Sequence, residues 1–135
     1  MIEGTNGCMY CEGECNKDCL LVTKDEDRPW GRFEVIRDEP NYKAKILEVL
    51  PGKRLSKQYH LQRSEIWVVA SGTGSVEIND TVTNIGQGAI VQIPVGAHHR
   101  VENTGTDLLV IMELQTGSYF GEDDIARIED DWDRK

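Results

Sequence analysis

Residues 52–72 read GKRLSKQYHLQRSEIWVVASG, with a glycine at each end. Gln58 and His60 stand two apart, so on an extended strand both point to one face. Glu65 follows after a short connection and alternates with Trp67 and Val69, which puts a carboxylate on an apolar, inward face. An unpaired charge is costly to bury, so that carboxylate needs a partner, and a metal ion would be one. A second set, Gly88, Pro94, Gly96, His99 and Asn103, is spaced in the same punctuated way. A single histidine near a strand start is more often a surface or satisfied core residue than a ligand. The two sets together make Gln58, His60, Glu65 and His99 the metal-ligand candidates.

Outward from this stretch, short apolar or alternating runs recur at 32–37, 43–50, 65–70, 74–78, 89–93, 99–102 and 108–115. Turn signals separate them, among them Pro51-Gly52, Ser71-Gly72, Asn79-Asp80, Ile85-Gly86 and Pro94-Val95-Gly96. Short strands at this spacing, with no long helical period, predict an all-β sandwich or barrel. The acidic stretch from Gly117 to Lys135, with Ile125 and Ile128 three apart, is expected to form a short helix or an irregular strap.

The chain has 135 residues, 39% hydrophobic and 29% charged, which suits one globular domain. Its net charge of -9 opposes long-range attraction to a phosphate backbone, so nucleic acid is not an expected partner, although a local cluster of Arg and Lys can still bind a small anion. No run of about 18 apolar residues is present to span a bilayer, and no signal-peptide pattern opens the chain. No membrane association and a cytoplasmic location are therefore expected, with reduced or metal-bound cysteines. All four cysteines, Cys8, Cys11, Cys15 and Cys19, fall in residues 1–23, a segment of Gly, Asn and Glu too short for its own core. It reads as an appendage to a domain over 24–135. Its spacing admits structural zinc or an iron-sulfur cluster, against the plainer readings of free thiols or adventitious disulfides.

The two spaced sets resemble the paired motifs of the cupin superfamily, whose double-stranded β-helix is a barrel of the jelly-roll type. Gln58 in place of the usual first histidine resembles the C-terminal isomerase domain of type II phosphomannose isomerases. The likeness extends to Arg28-Pro29-Trp30-Gly31, Lys45-Ile46, Arg54-Leu55-Ser56, Arg63-Ser64-Glu65-Ile66-Trp67, the run from Pro94 to Asn103, and the run from Gly117 to Ile125. Where that family tends to carry further histidines after the first ligand histidine, this chain has Leu61-Gln62, a change beside the metal site that bears on substrate preference. The family domain is often fused behind a nucleotidyltransferase, whose activity is not carried over to these residues.

The resemblance implies interconversion of mannose 6-phosphate and fructose 6-phosphate at one divalent metal, zinc by family likeness, with manganese, iron, cobalt or nickel compatible with the same nitrogen and oxygen donors. It also implies a small-molecule sugar phosphate as partner and, by analogy, a homodimer. Such chemistry needs an anchor for the phosphate and a group that moves a proton. Arg54 shares strand parity with Gln58 and His60, Arg63 shares it with Glu65, and Lys45 alternates with Leu47 and Val49, so these are the substrate-binding candidates. Arg100 joins them from the second motif, although alternation points it away from His99 unless a bulge intervenes. Glu113, on one face with Gln115, and Arg127, which follows the Gly-Glu-Asp-Asp-Ile motif, are the catalytic candidates. A sugar-binding or regulatory cupin without turnover, and another metal cupin enzyme such as an oxygenase, are the competing readings.

Overall fold

A computed structural model describes residues 24–129. The cysteine segment and its proposed metal lie outside them. Among the described residues eleven strands form: β1 (Lys24–Arg28), β2 (Gly31–Asp38), β3 (Tyr42–Val49), β4 (Lys57–His60), β5 (Arg63–Ser71), β6 (Thr73–Ile78), β7 (Thr81–Gly86), β8 (Ile90–Ile93), β9 (His99–Glu102), β10 (Leu109–Gly117) and β11 (Ile125–Glu129). They build two antiparallel sheets, one ordered β1-β2-β3-β10-β5-β8 and the other β11-β4-β9-β6-β7. This is the two-sheet all-β architecture that the short alternating runs predict. No α-helix occurs among the described residues, and no helix is long and apolar enough to cross a membrane.

Period-two patterning explains which face of each strand goes inward. Phe33 and Val35 on β2, Leu47 and Val49 on β3, Trp67 and Val69 on β5, and Leu109 and Ile111 on β10 meet Val76 and Val101 from the other sheet in one core. On the outer face of the larger sheet the register aligns Ile46, Met112, Val68 and Ile90 across four strands. Three of these, Val68, Ile90 and Met112, are exposed apolar side chains.

Two connections decide the geometry. Asn79 and Asp80 both take positive φ, 47° and 72°, and join β6 to β7 in a two-residue hairpin, the turn chemistry that Asn-Asp favours. Strand β7 is not evident in the sequence because Thr81 to Asn84 are all exposed and lack apolar alternation. Asn103 is fully buried and staples three segments: its Nδ2 donates to the carbonyls of Val49 and Asp107, both at 2.8 Å, and its Oδ1 accepts from the Gly105 amide at 2.9 Å.

The C-terminal stretch departs from expectation. A 3-10 turn, Glu122–Asp124, leads into β11, which pairs with β4 as Ile125↔His60 and Arg127↔Gln58. The helical spacing of Ile125 and Ile128 is overridden by this pairing, with a register shift between Arg127 and Glu129. The Asp124 carboxylate accepts from the Leu61 and Gln62 amides at 3.1 and 3.0 Å, fixing where the strand starts.

Candidate functional site

Strands β4, β5 and β9 deliver His60, Glu65 and His99, each no more than 3% exposed, to one point between the sheets. One ligand atom from each lies within 4.8 Å of the others. Strand β4 presents Gln58 and His60 to the same side, as their spacing predicts, and Gln58 pairs with His99 across β4 and β9.

The carboxylate is held from several directions. Glu65 Oε2 accepts from Arg63 Nε at 3.0 Å and lies 3.1 Å from His60 Nε2, while Oε1 accepts from Trp67 Nε1 at 3.0 Å. Burial by itself would raise the Glu65 pKa. Hydrogen bonds with His60 and Glu113 and the charges of His99 and Arg63 outweigh it and hold this carboxyl well below the usual range. Glu113 is pushed the other way, to about 8, first by burial and then by the charge and hydrogen bond of Glu65. The pair therefore keeps Glu65 ionised and Glu113 protonated at neutral pH, with Trp67 Nε1 also donating to Glu113 Oε2 at 3.1 Å.

These donors suit a divalent ion. His99 Nδ1 lies 3.0 Å from the Ala97 carbonyl, and as a donor there it turns Nε2 toward Glu65, 3.8 Å away. Burial lowers the His99 pKa against the pull of Glu65, which favours the neutral ring whose lone pair a cation needs. His60 Nδ1 is buried without a hydrogen-bond partner among the described residues. Gln58 Nε2 donates to the buried Ser56 Oγ at 2.8 Å, which leaves the amide oxygen, the atom a cation needs. Two imidazoles, a carboxylate and an amide oxygen form a borderline-soft donor set with room for outside ligands.

Beside this cluster opens a cavity with about 580 Å³ of empty space, its open mouth included. Arg28, Lys45, Arg63, Arg100, Glu113 and Arg127 are among the residues lining it. Lys45 Nζ sits 4.4 Å and Arg28 Cζ 4.8 Å from the centroid of the Phe33 ring. Arg63 is committed to Glu65, to His60 Nε2 at 3.2 Å and to the Phe120 carbonyl. Arg100 contributes to the wall, but its Nε donates to the Leu55 carbonyl at 2.8 Å and its other guanidinium nitrogens bond Glu129. Arg54 pairs with Glu102 in an isolated bridge and is not among the lining residues.

Sequence reasoning did not single out Trp67 as a shared donor, Arg28 as a wall residue, or Ser56 as the orienter of Gln58. The signal for Trp67 and Ser56 was strand parity with Glu65 and Gln58. Arg28 precedes the recognised runs, so parity could not place it.

Comparison with known proteins agrees with this architecture. A family model described as "Mannose-6-phosphate isomerase C-terminal" matches residues 16–130, a span that begins inside the cysteine segment. A mannose-1-phosphate guanylyltransferase from Escherichia coli is 42% identical over 107 residues, 79% of this chain and 23% of that protein. Mannose-1-phosphate guanylyltransferase ManC from Salmonella typhimurium is 43% identical over 107 residues, 79% of this chain and 22% of that protein. The chain thus spans less than a quarter of the length of these relatives. Among solved structures, a Klebsiella pneumoniae protein with a double-stranded β-helix domain superposes with a TM-score of 0.64 at 21% identity, over 70% of this chain and 81% of that one, a likeness of fold. With the family model covering most of its residues, the chain belongs to the family of mannose-6-phosphate isomerase C-terminal domains, with a cupin-type fold.

Proposed function

We propose that this domain is a metal-dependent aldose–ketose isomerase that interconverts mannose 6-phosphate and fructose 6-phosphate. The observation that carries the reading is the buried His60–Glu65–His99 cluster opening onto a cavity lined by arginine, lysine and a second buried carboxyl. His60, Glu65, His99 and the Gln58 amide oxygen would hold the ion. Zinc is the choice by family likeness, and manganese, iron, cobalt or nickel suit the same donors. When bound, the ion supplies Lewis-acid polarisation and orientation of the sugar oxygens.

The chain's own residues account for the rest. Glu113 is the proton carrier: in its ionised form, the minor one at neutral pH with a pKa of about 8, it takes the proton from C2 of the open-chain aldose, the C2–H electron pair forms the C1=C2 bond, and the C1 carbonyl oxygen takes up a proton to give the enediol. Return of the carried proton to C1, with loss of the O2 proton, yields the ketose. Trp67 Nε1 holds Glu113 and Glu65 at a fixed separation, and Arg63 fixes Glu65. Lys45 and Arg28, beside Phe33, supply positive potential to an anionic substrate. Arg54 and Arg100 are placed to order the barrel wall more than to touch substrate.

The wider setting follows the same reading: a cytoplasmic enzyme, with no nucleic acid or membrane partner, that pairs as a homodimer. The cysteine appendage would carry its own structural zinc or iron-sulfur cluster, released by a strong thiol reagent that leaves the barrel ion in place.

The test is ketose formation from mannose 6-phosphate by metal-reconstituted protein, with and without chelator, beside His99→Ala. Activity that requires metal and vanishes in His99→Ala is expected. Absence of ketose at every metal loading would falsify the isomerase reading, and sugar-phosphate binding without ketose would identify a sugar-binding cupin instead.

A further inference from the structure

Across the smaller sheet the register sets Arg127 on β11 opposite Gln58 on β4, and Gln58 opposite His99 on β9. Residues directly opposite in an antiparallel pair project to the same side, so the three form one inward row. With neighbouring strands about 4.8 Å apart, the Arg127 backbone stands about 10 Å from that of His99. That is the scale of an open-chain hexose phosphate laid along the row with its carbonyl end at the histidines.

Arg127 is also set apart by what it does not touch. Its Nε is buried and has no hydrogen-bond partner among the described residues, while the residue lines the cavity. Arg63 and Arg100, by contrast, are engaged by Glu65, His60, Leu55 and Glu129. Leaving one nitrogen of a charged guanidinium buried and unsatisfied is unfavourable, and an acceptor entering the cavity would satisfy it. A guanidinium suits phosphate, whose oxygens accept in the fork geometry that an ammonium does not offer.

We propose that Arg127 anchors the phosphate of the substrate, which makes β11 a phosphate-binding strand and removes Arg127 from the proton-transfer step. Asp124 is its positioning residue: by capping the Leu61 and Gln62 amides it sets where β11 begins and so where Arg127 falls against Gln58. This inference rests on the sugar-phosphate reading of the cavity and deepens it.

The experiment compares metal-loaded wild type, Arg127→Gln, Arg127→Lys and Asp124→Asn in direct calorimetric titration with mannose 6-phosphate and with mannose, together with KM and kcat for ketose formation. Folding of each variant is checked by circular dichroism. Loss of a charge-assisted pair predicts a selectivity for mannose 6-phosphate over mannose about 10- to 100-fold lower in Arg127→Gln. Arg127→Lys should recover part of it. Asp124→Asn should raise KM with little change in kcat. Should Arg127→Gln not fold, Arg127→Lys and Asp124→Asn carry the same comparison. Equal weakening for both sugars, or a fall in kcat at unchanged KM, overturns the proposal and returns Arg127 to the chemical step. If wild type makes no ketose, the isomerase reading fails on its own, and the titrations still decide the subsite: wild type without preference for the phosphorylated sugar refutes it.

Discussion

Replacing Trp67 with phenylalanine is the sharpest test of how the buried carboxyl pair is organised. The indole Nε1 donates to Glu65 Oε1 at 3.0 Å and to Glu113 Oε2 at 3.1 Å, and phenylalanine keeps a ring in place while removing that donor. The single N–H is shared between the two carboxyls, so the lost donor costs about 1.5–3 kcal/mol, the worth of one hydrogen bond to a charged group. In a domain of this size that is a fall in Tm of about 6–12 °C. Glu65 also loses one of the contacts that orient it toward His60 and His99, and changes of this kind typically weaken metal binding about 10- to 100-fold. Urea denaturation of metal-free protein reads the first effect, and competition against a chromophoric chelator reads the second. Trp30→Phe, at another buried tryptophan, controls for the loss of indole area. If Trp67→Phe matches Trp30→Phe in stability and keeps wild-type metal affinity, the shared donor does not organise the site and the reasoning fails.

Asn103→Ala should destabilise by about 3 kcal/mol, because three hydrogen bonds are lost at a fully buried position; a change below about 1 kcal/mol in chemical denaturation would contradict the staple role. Gly72→Ala should be worse tolerated than a surface change, since φ there is 93° and a Cβ would come within 2.5 Å of the Leu108 carbonyl oxygen; wild-type expression and Tm would refute this. The Glu113 carboxyl is raised in the fold from 4.5 to about 8, so the metal-free protein should lose stability as pH rises between those values, and Glu113→Gln should flatten that slope in denaturation measured across pH 5 to 9. An unchanged slope counts against a neutral Glu113. Met112→Lys, in the outer apolar row, should shift the proposed homodimer toward monomer by light scattering, and a variant still dimeric at micromolar concentration would move the interface elsewhere.

Local spacing carried a large part of this protein into view. The two-residue period places Gln58 with His60 and Glu65 with Trp67 before any fold is known, since side-chain direction along a strand depends only on the local backbone. The same patterning was enough for the two-sheet class. Parity points Arg100 away from His99, yet the residue is buried and lines the cavity, with its guanidinium held by Leu55 and Glu129.

Parity could not choose between Arg54 and Arg63, which both qualified, because whether a strand residue reaches the cavity depends on which strands close over it. Nor could it find β7 or turn the C-terminal strap into β11, since those strands are set by pairing across the barrel and not by their own alternation. What the sequence determined by itself is the all-β class and the shared faces of Gln58 with His60 and of Glu65 with Trp67, both consequences of a backbone rule that acts over a few residues. Only the tertiary structure decided that Glu113 is neutral, Glu65 ionised and Arg127 aligned with Gln58 and His99, because burial, the field of a neighbouring carboxylate and strand register come from residues distant in the chain.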